Sequence, residues 1–364
     1  MWMLLLLSRS MMRFLILGLL AGLLTETFAG AEPPFKVYQF DRDQIPRIDG
    51  DAADWTMVPE SYAIGSNELK DTLRGTENDP KTLDVSVKVG WVKGLNRLYF
   101  LYEAYDDYWD FGMPGMHNDI LEVMVDGDAS GGPITAAVDP KVKFRSWEGH
   151  LMQGVQAQNY HIFTPSVEKN WAMVWGCQPW ALEFPWSNAA QHFNFKHGEP
   201  GRYTLEFWIT PFDHAPMEGP KKARVSQLTE GREIGLSWVV LDYDDEKAGK
   251  NGYRSFNNLS DQTIVHSDAD QLRRFTLMPQ EDEALRAQWS FSIPDPASRR
   301  VVFKDESTGE VEHWLWDFGD GTTSTNQHPV HVYAEGGLRY VVSLRVGNAS
   351  ASNRFSRVWE VCLP

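Results

Sequence analysis

Cysteine is nearly absent. Cys177 and Cys362 are the only two in 364 residues, and they lie far apart. That excludes a disulfide-stapled scaffold, and neither residue has a metal-binding spacing. Two buried free thiols and a single long-range disulfide both remain open. Basic residues are also short, with 34 Lys and Arg against 50 Asp and Glu, a formal net charge of −16. Residues 1–31 carry +1, 32–288 carry −15 and 289–364 carry −2. Such a surface repels phosphate backbones and strongly anionic polymers, which argues against nucleic acid and leaves neutral ligands and hard cations. Long apolar runs are confined to the N-terminus. "MMRFLILGLLAGLLTETFAGAE" has a basic residue, an apolar stretch and small residues, the pattern of an export signal over residues 1–31 cut after Ala31. An uncleaved anchor is the alternative, because "MWMLLLL" extends the greasy stretch. The expected location is secreted or cell-surface, with the periplasm as a variant and no membrane span after signal removal. Sustained helical periodicity is missing too, apart from a weak stripe in "EDEALRAQ" near 281–288.

What is present is alternation and aromatic mass. Fifteen Trp, 29 Gly and 20 Pro suit a β protein with many turns. "DVSVKVGW" places Val85, Val87, Val89 and Trp91 on one face. "RYTLEFWITPF" does the same with Tyr203, Leu205, Phe207 and Ile209, and "EIGLSWVVLDY" with Ile234, Leu236, Trp238 and Val240. "LYFLYEAY" is aromatic on both faces and reads as a central strand. The chain is therefore expected to be all-β, with an antiparallel β-sandwich over 32–282 and a smaller immunoglobulin-like β-sandwich over 289–364. In "PRIDGDAADW", Asp49, Asp51 and Asp54 are expected to accept backbone N–H groups in an anchoring turn, since three Asp from one loop fall short of the six to eight oxygens that calcium takes.

Two resemblances follow from the motifs. "WDFGDG" followed by the P-x-H-x-Y pattern of "PVHVYAEGGLRYVVSLRV" is similar to the polycystic kidney disease (PKD) domain. That family implies a spacer or adhesion module. Trp316 and Phe318 point inward, and Asp317 and Asp320 read as turn caps in preference to calcium ligands or catalysts. "PRIDGDAADW", "NRLYFLYEAYDD", "HNDILEVMVDGD", "GRYTLEFWITPF" and "EIGLSWVVLDYDDEKAG", in that order, resemble a family 9 carbohydrate-binding module, a relative of DOMON-like sandwiches. The resemblance implies a sugar held between two tryptophans, and structural calcium. The tryptophan positions do not carry over. Met116 and His117 stand where one is expected, and "DQTIVHSDADQ" has no aromatic where the other would lie. "KFRSW" resembles the family strand with a sugar-contacting Arg, which maps to Arg145; a surface ion pair is that residue's other role.

An insertion at about 147–200 carries "WAMVWGCQPWALEFPW". Its loop-borne indoles are expected to divide, two packing the insertion down and the rest left partly open. The candidate ligand-binding residues are Trp109, Arg145, Trp147, Trp171, Trp175 and Trp208. Trp208 is chosen because it alternates with Thr204 and Glu206 toward a polar face. The candidate metal ligands are Asp126, Asp128, Asp242 and Asp244, with Asp106–Asp107 a further acidic pair; the spacings match no EF-hand loop.

The expected function is a secreted, non-catalytic carbohydrate-binding accessory in polysaccharide recognition or breakdown, with a neutral polysaccharide or oligosaccharide as partner. A structural or adhesive surface protein is the alternative. A glycoside hydrolase is a weaker one, since no Glu pair has a motif context, although Glu103 lies in an apolar strand. His117, His150 and His161 form no metal spacing, and Met113, Met116 and Met124 have no paired axial partner, so neither haem nor nucleotide is expected.

Overall fold

The computed structural model describes residues 34–363 apart from 43, 78, 112–117, 136–151, 167–171, 175–177, 245–252, 261–266 and 281–284. The export-signal segment, Arg145, Trp147, Trp171, Trp175 and Cys177 lie outside the described residues. Among these residues the named elements are strands and short 3-10 turns, and the fold is all-β.

Two layers make the first sandwich. One runs Ser187–His192, Gly201–Ile209, Leu98–Asp106, Leu83–Val92, Phe35–Phe40, with Leu98–Asp106 central, as its two-faced aromatic pattern predicts. The other is built on the long strand Glu233–Asp244, flanked by Ile120–Asp126 on one side and by Arg273–Leu277 and Tyr253–Asn258 on the other. Gln158–Phe163 extends it beyond Ile120–Asp126. Strand Phe35–Phe40 joins both layers. Its first half pairs in parallel with Arg273–Leu277 and its second half with Leu83–Val92.

Alternation fills the space between the layers as expected. Val85, Val87, Val89, Trp91, Tyr203, Leu205, Phe207, Ile209, Ile234, Leu236, Trp238 and Val240 all belong to one buried cluster. The first layer's outer face is covered as well. Tyr38, Phe40, Trp55, Val58, Tyr62, Tyr99, Leu101 and Trp208 form a second cluster there, because the chain between Asp41 and Tyr62 folds back over it.

One carboxylate holds that cover down. Glu206 is fully buried and accepts from Asp49 N at 3.1 Å, Gly50 N at 2.7 Å and Trp55 Nε1 at 2.8 Å. Gly50 has φ +86°, and a Cβ there would lie 2.9 Å from the backbone of Gln191, so the turn needs glycine. The three aspartates of the turn cap as expected: Asp51 N donates to Asp49, Ala53 N to Asp51 and Arg47 N to Asp54.

The second β unit packs Trp289–Asp295, Arg300–Asp305 and Val330–Val332 against Thr323–Ser324, His313–Asp317, Arg339–Gly347 and Ser352–Cys362. Its core holds Trp289, Phe303, Trp316, Phe318, Tyr333, Leu344 and Phe355. Asp317 and Asp320 cap the turn, accepting from Gly319 N and Thr322 N. The weak helical stripe is corrected where it is described: Leu285–Arg286 is a strand paired with Thr308–Gly309, because a cross-strand partner is available and an isolated short helix is not stable.

Candidate functional site

The outer face of the second layer carries an unusual polar group. On Ile120–Asp126, Leu121, Val123 and Val125 point into the core, so Ile120, Glu122 and Met124 point out. The register sets Glu122 opposite Val239 on one side and His161 on the other, with Met124 opposite Asn159. Asn159 Nδ2 donates to Glu122 Oε1 at 2.7 Å, and His161 Nε2 lies 2.9 Å from the same oxygen. All three side chains are buried. Around them Ile120, Met124, Ile134, Ala157, Val239, Leu241 and Leu272 form an apolar cluster. Asn159 Oδ1 and Ser237 Oγ, on the same face, are buried with no hydrogen-bond partner among the described residues.

Burying a carboxylate and an amide in apolar surroundings is costly unless their hydrogen bonds are completed. Asn159 Nδ2 and His161 Nε2 supply part of that set at Glu122 Oε1. At 6%, 0% and 2% exposure, Glu122, Asn159 and His161 are as closed off as Trp109 and Trp208, and they form a buried polar network within the apolar cluster. Sequence reasoning passed over Glu122 and Asn159 and set His161 aside for want of a metal spacing. The available signal was Glu122 itself, an acidic residue at an out-facing position between Ile120 and Met124.

Trp109 is a core residue, which corrects its assignment to ligand binding. It is 1% exposed, stacks on Phe195 at 4.9 Å and donates Nε1 to Gly201 O at 3.0 Å. Trp208 does face outward from its strand, as its alternation predicts, but that face is not open. The residue is 4% exposed, packs in the cluster under the 41–62 cover and carries the Arg97 guanidinium 3.9 Å from its ring centroid. Its assignment as an open platform is corrected for that reason. Within the Trp-rich insertion, Trp180 and Trp186 are half-buried and pack edge-on to each other and against Phe212, with Trp180 Nε1 donated to Pro216 O. Phe184 beside them is 76% exposed. Glu103 is exposed on its strand.

The acidic residues regroup. Asp242 and Asp244, at the end of Glu233–Asp244, meet Asp106, at the end of Leu98–Asp106, with one carboxylate oxygen from each within 4.8 Å of the others. Burial first, and then the charge of Asp242, push Asp106 up to about 9. Burial and then Asp244 push Asp242 up to about 7. Asp119 is also buried beside them and raised, by burial and then by Asp106; its carboxylate accepts from Asp110 N and Tyr243 N. Asp126 and Asp128 do not join this group. Asp126 ends its strand opposite Gly235, whereas Asp242 lies beyond Leu241, the partner of Ile120 at the strand's other end. Asp126 accepts from Gly131 N, with burial raising it to about 6, and Asp128 accepts from Ser130 N.

Residues 288–361 match the PKD domain model. The chain is 58% identical over 53 residues to collagenase ColA of Bacillus cereus. That alignment spans 14% of this chain and 5% of the collagenase, so the chain matches only a small part of that relative. Solved neighbours are family 9 carbohydrate-binding modules and PKD domains. A family 9 module from Caldicellulosiruptor kristjanssonii in complex with cellotriose aligns with 68% of this chain and 95% of its own, at 13% identity and TM-score 0.44. The PKD1 domain of Vibrio anguillarum Epp aligns over 23% of this chain and all of its own, at 28% identity and TM-score 0.21. No helix of the described residues is long and apolar enough to cross a membrane.

Proposed function

We propose that the protein is a secreted, non-catalytic carbohydrate-binding module joined to a PKD spacer. The observation that carries this reading is the ordered set of motifs from "PRIDGDAADW" to "EIGLSWVVLDYDDEKAG" that resembles family 9 modules, carried on the two-layer sandwich described above. An overall charge of −16 favours a neutral glycan over an anionic one. Arg145, Trp147, Trp171 and Trp175 are carried forward as contact residues on their sequence context alone. A non-hydrolytic role is favoured by the two glutamates of the first layer. Glu103 is exposed, and Glu206 is locked by three N–H donors.

The test is titration with cellotriose and a panel of other neutral oligosaccharides, followed by calorimetry and Trp fluorescence. Binding with a dissociation constant of about 1 μM to 1 mM is expected. Trp171→Ala and Trp175→Ala should each weaken it several-fold, at about 1 kcal/mol for one lost indole face. No binding across the panel by the parent protein defeats the reading. A structural or adhesive role, which the sealing of Trp109 and Trp208 favours, then takes its place.

A further inference from the structure

We propose that Phe184, at the tip of the insertion, is a platform for one face of a neutral pyranose, with Arg97 and Asn188 placed to bond the sugar's hydroxyls. The inference rests on the carbohydrate-binding reading and adds a contact that the family resemblance does not supply. Phe184 is 76% exposed, the most exposed large apolar side chain among the described residues. The turn that carries it is anchored on both sides. Upstream, Trp180 packs on Phe212 and donates Nε1 to Pro216 O at 3.3 Å. Downstream, Trp186 N donates to Glu183 O at 2.8 Å and closes the turn, and Thr210 N donates to Trp186 O at 2.9 Å where Ser187–His192 joins the first layer. The Phe184 ring meets Trp208 edge-on, with centroids 6.3 Å apart and planes at 72°.

Single exposed apolar residues are common on protein surfaces, and each forfeits the stabilisation that burial gives. The polar groups beside it set Phe184 apart. The Arg97 guanidinium lies against the same Trp208 ring and has no carboxylate partner among the described residues. Asn188 stands directly across the strand pair from Trp208, so both point to the same side of the sheet. It is exposed, and its side-chain amide has no hydrogen-bond partner among the described residues. An open ring face, a guanidinium and an amide around one indole suit a pyranose, which offers C–H groups to the ring and hydroxyls to the polar groups. A ring already held in place loses little freedom on binding. Glu183, exposed and next to Phe184 in the chain, opposes a uronic acid and selects a neutral sugar. The strand Ala172–Val174, flanked in sequence by Trp171 and Trp175, packs against Pro179–Leu182. The platform therefore adjoins the segment that carries the other contact candidates.

The full chain and its Phe184→Ala and Phe184→Trp variants are titrated by calorimetry with cellohexaose, xylohexaose, mannohexaose and an oligogalacturonate, with thermal melts and sedimentation run alongside. Phe184 lies outside the core, so Phe184→Ala is expected to melt with the parent. It should bind the neutral hexasaccharide that the parent prefers about fivefold more weakly, which corresponds to about 1 kcal/mol for one ring. Phe184→Trp should bind as the parent does, and the oligogalacturonate at least tenfold more weakly than the preferred neutral sugar. A parent that binds while Phe184→Ala binds equally well overturns the proposal and leaves the carbohydrate reading standing. A parent that binds none of the three neutral sugars removes both. If Phe184→Ala turns a dimer into a monomer with sugar affinity unchanged, the ring belongs to a contact between copies of the chain and the proposal falls.

Discussion

Glu206 shows how much a single side chain can decide. Its carboxylate takes three N–H donors from the segment that roofs the first layer, and the same roof closes over Trp208. Glu206→Ala would leave those donors buried and unpaired, and should lower stability by about 3–5 kcal/mol in denaturant melts. Burial raises the Glu206 carboxyl to about 7 against the pull of Trp55, Asp49 and Gly50. A carboxyl raised above its unfolded value costs nothing while protonated in both states, and costs most once ionised in both. Its contribution therefore falls as pH rises from about 4.5 to about 7, by up to about 3 kcal/mol. The difference between the pH profiles of the parent and Glu206→Gln isolates that slope; identical profiles would contradict it. Trp109→Ala should likewise cost about 3–5 kcal/mol, as expected for an indole stacked in the core and unlike a ligand platform.

At the scale of elements, the period-two pattern accounts for the strands Leu83–Val92, Gly201–Ile209 and Glu233–Asp244, because the inner face of each had to be continuous and apolar. Alternation fixes which side a residue faces but not what covers that side, and Trp208 and Glu122 both turn on that difference. The tight turn of the PKD unit was readable in full. Gly319 has φ +76°, and a Cβ there would sit 2.3 Å from Val341 O. Gly319→Ala should therefore destabilise that unit by on the order of 2 kcal/mol, through strain and overpacking. A calorimetric melt would show this, and an unchanged melt would mean that the turn can relax.

Across the whole molecule, the same 41–54 segment that roofs the first layer also meets the second β unit. Arg286 pairs with Asp41, Gln44 Nε2 donates to Ala287 O at 3.3 Å, and Arg354 Nη1 lies 3.9 Å from Asp54 Oδ1. Contacts of this kind are individually weak and sensitive to salt. Arg354→Ala should cost less than about 1 kcal/mol, with the deficit shrinking in high salt, when melts of parent and variant are compared at two ionic strengths.

Sequence alone determined the all-β class, the inward-facing residues, the aspartate caps of both turns and the PKD match, since each depends on local periodicity or on turn chemistry within a few residues. Only the tertiary structure decided which aromatics were sealed and which polar groups met. Asp106 joins Asp242 across two sheets, His161 joins Glu122 across adjacent strands, and Trp208 vanishes beneath a segment more than 140 positions earlier in the chain. Those outcomes depend on which distant strands become neighbours, and no short-range pattern carries that information.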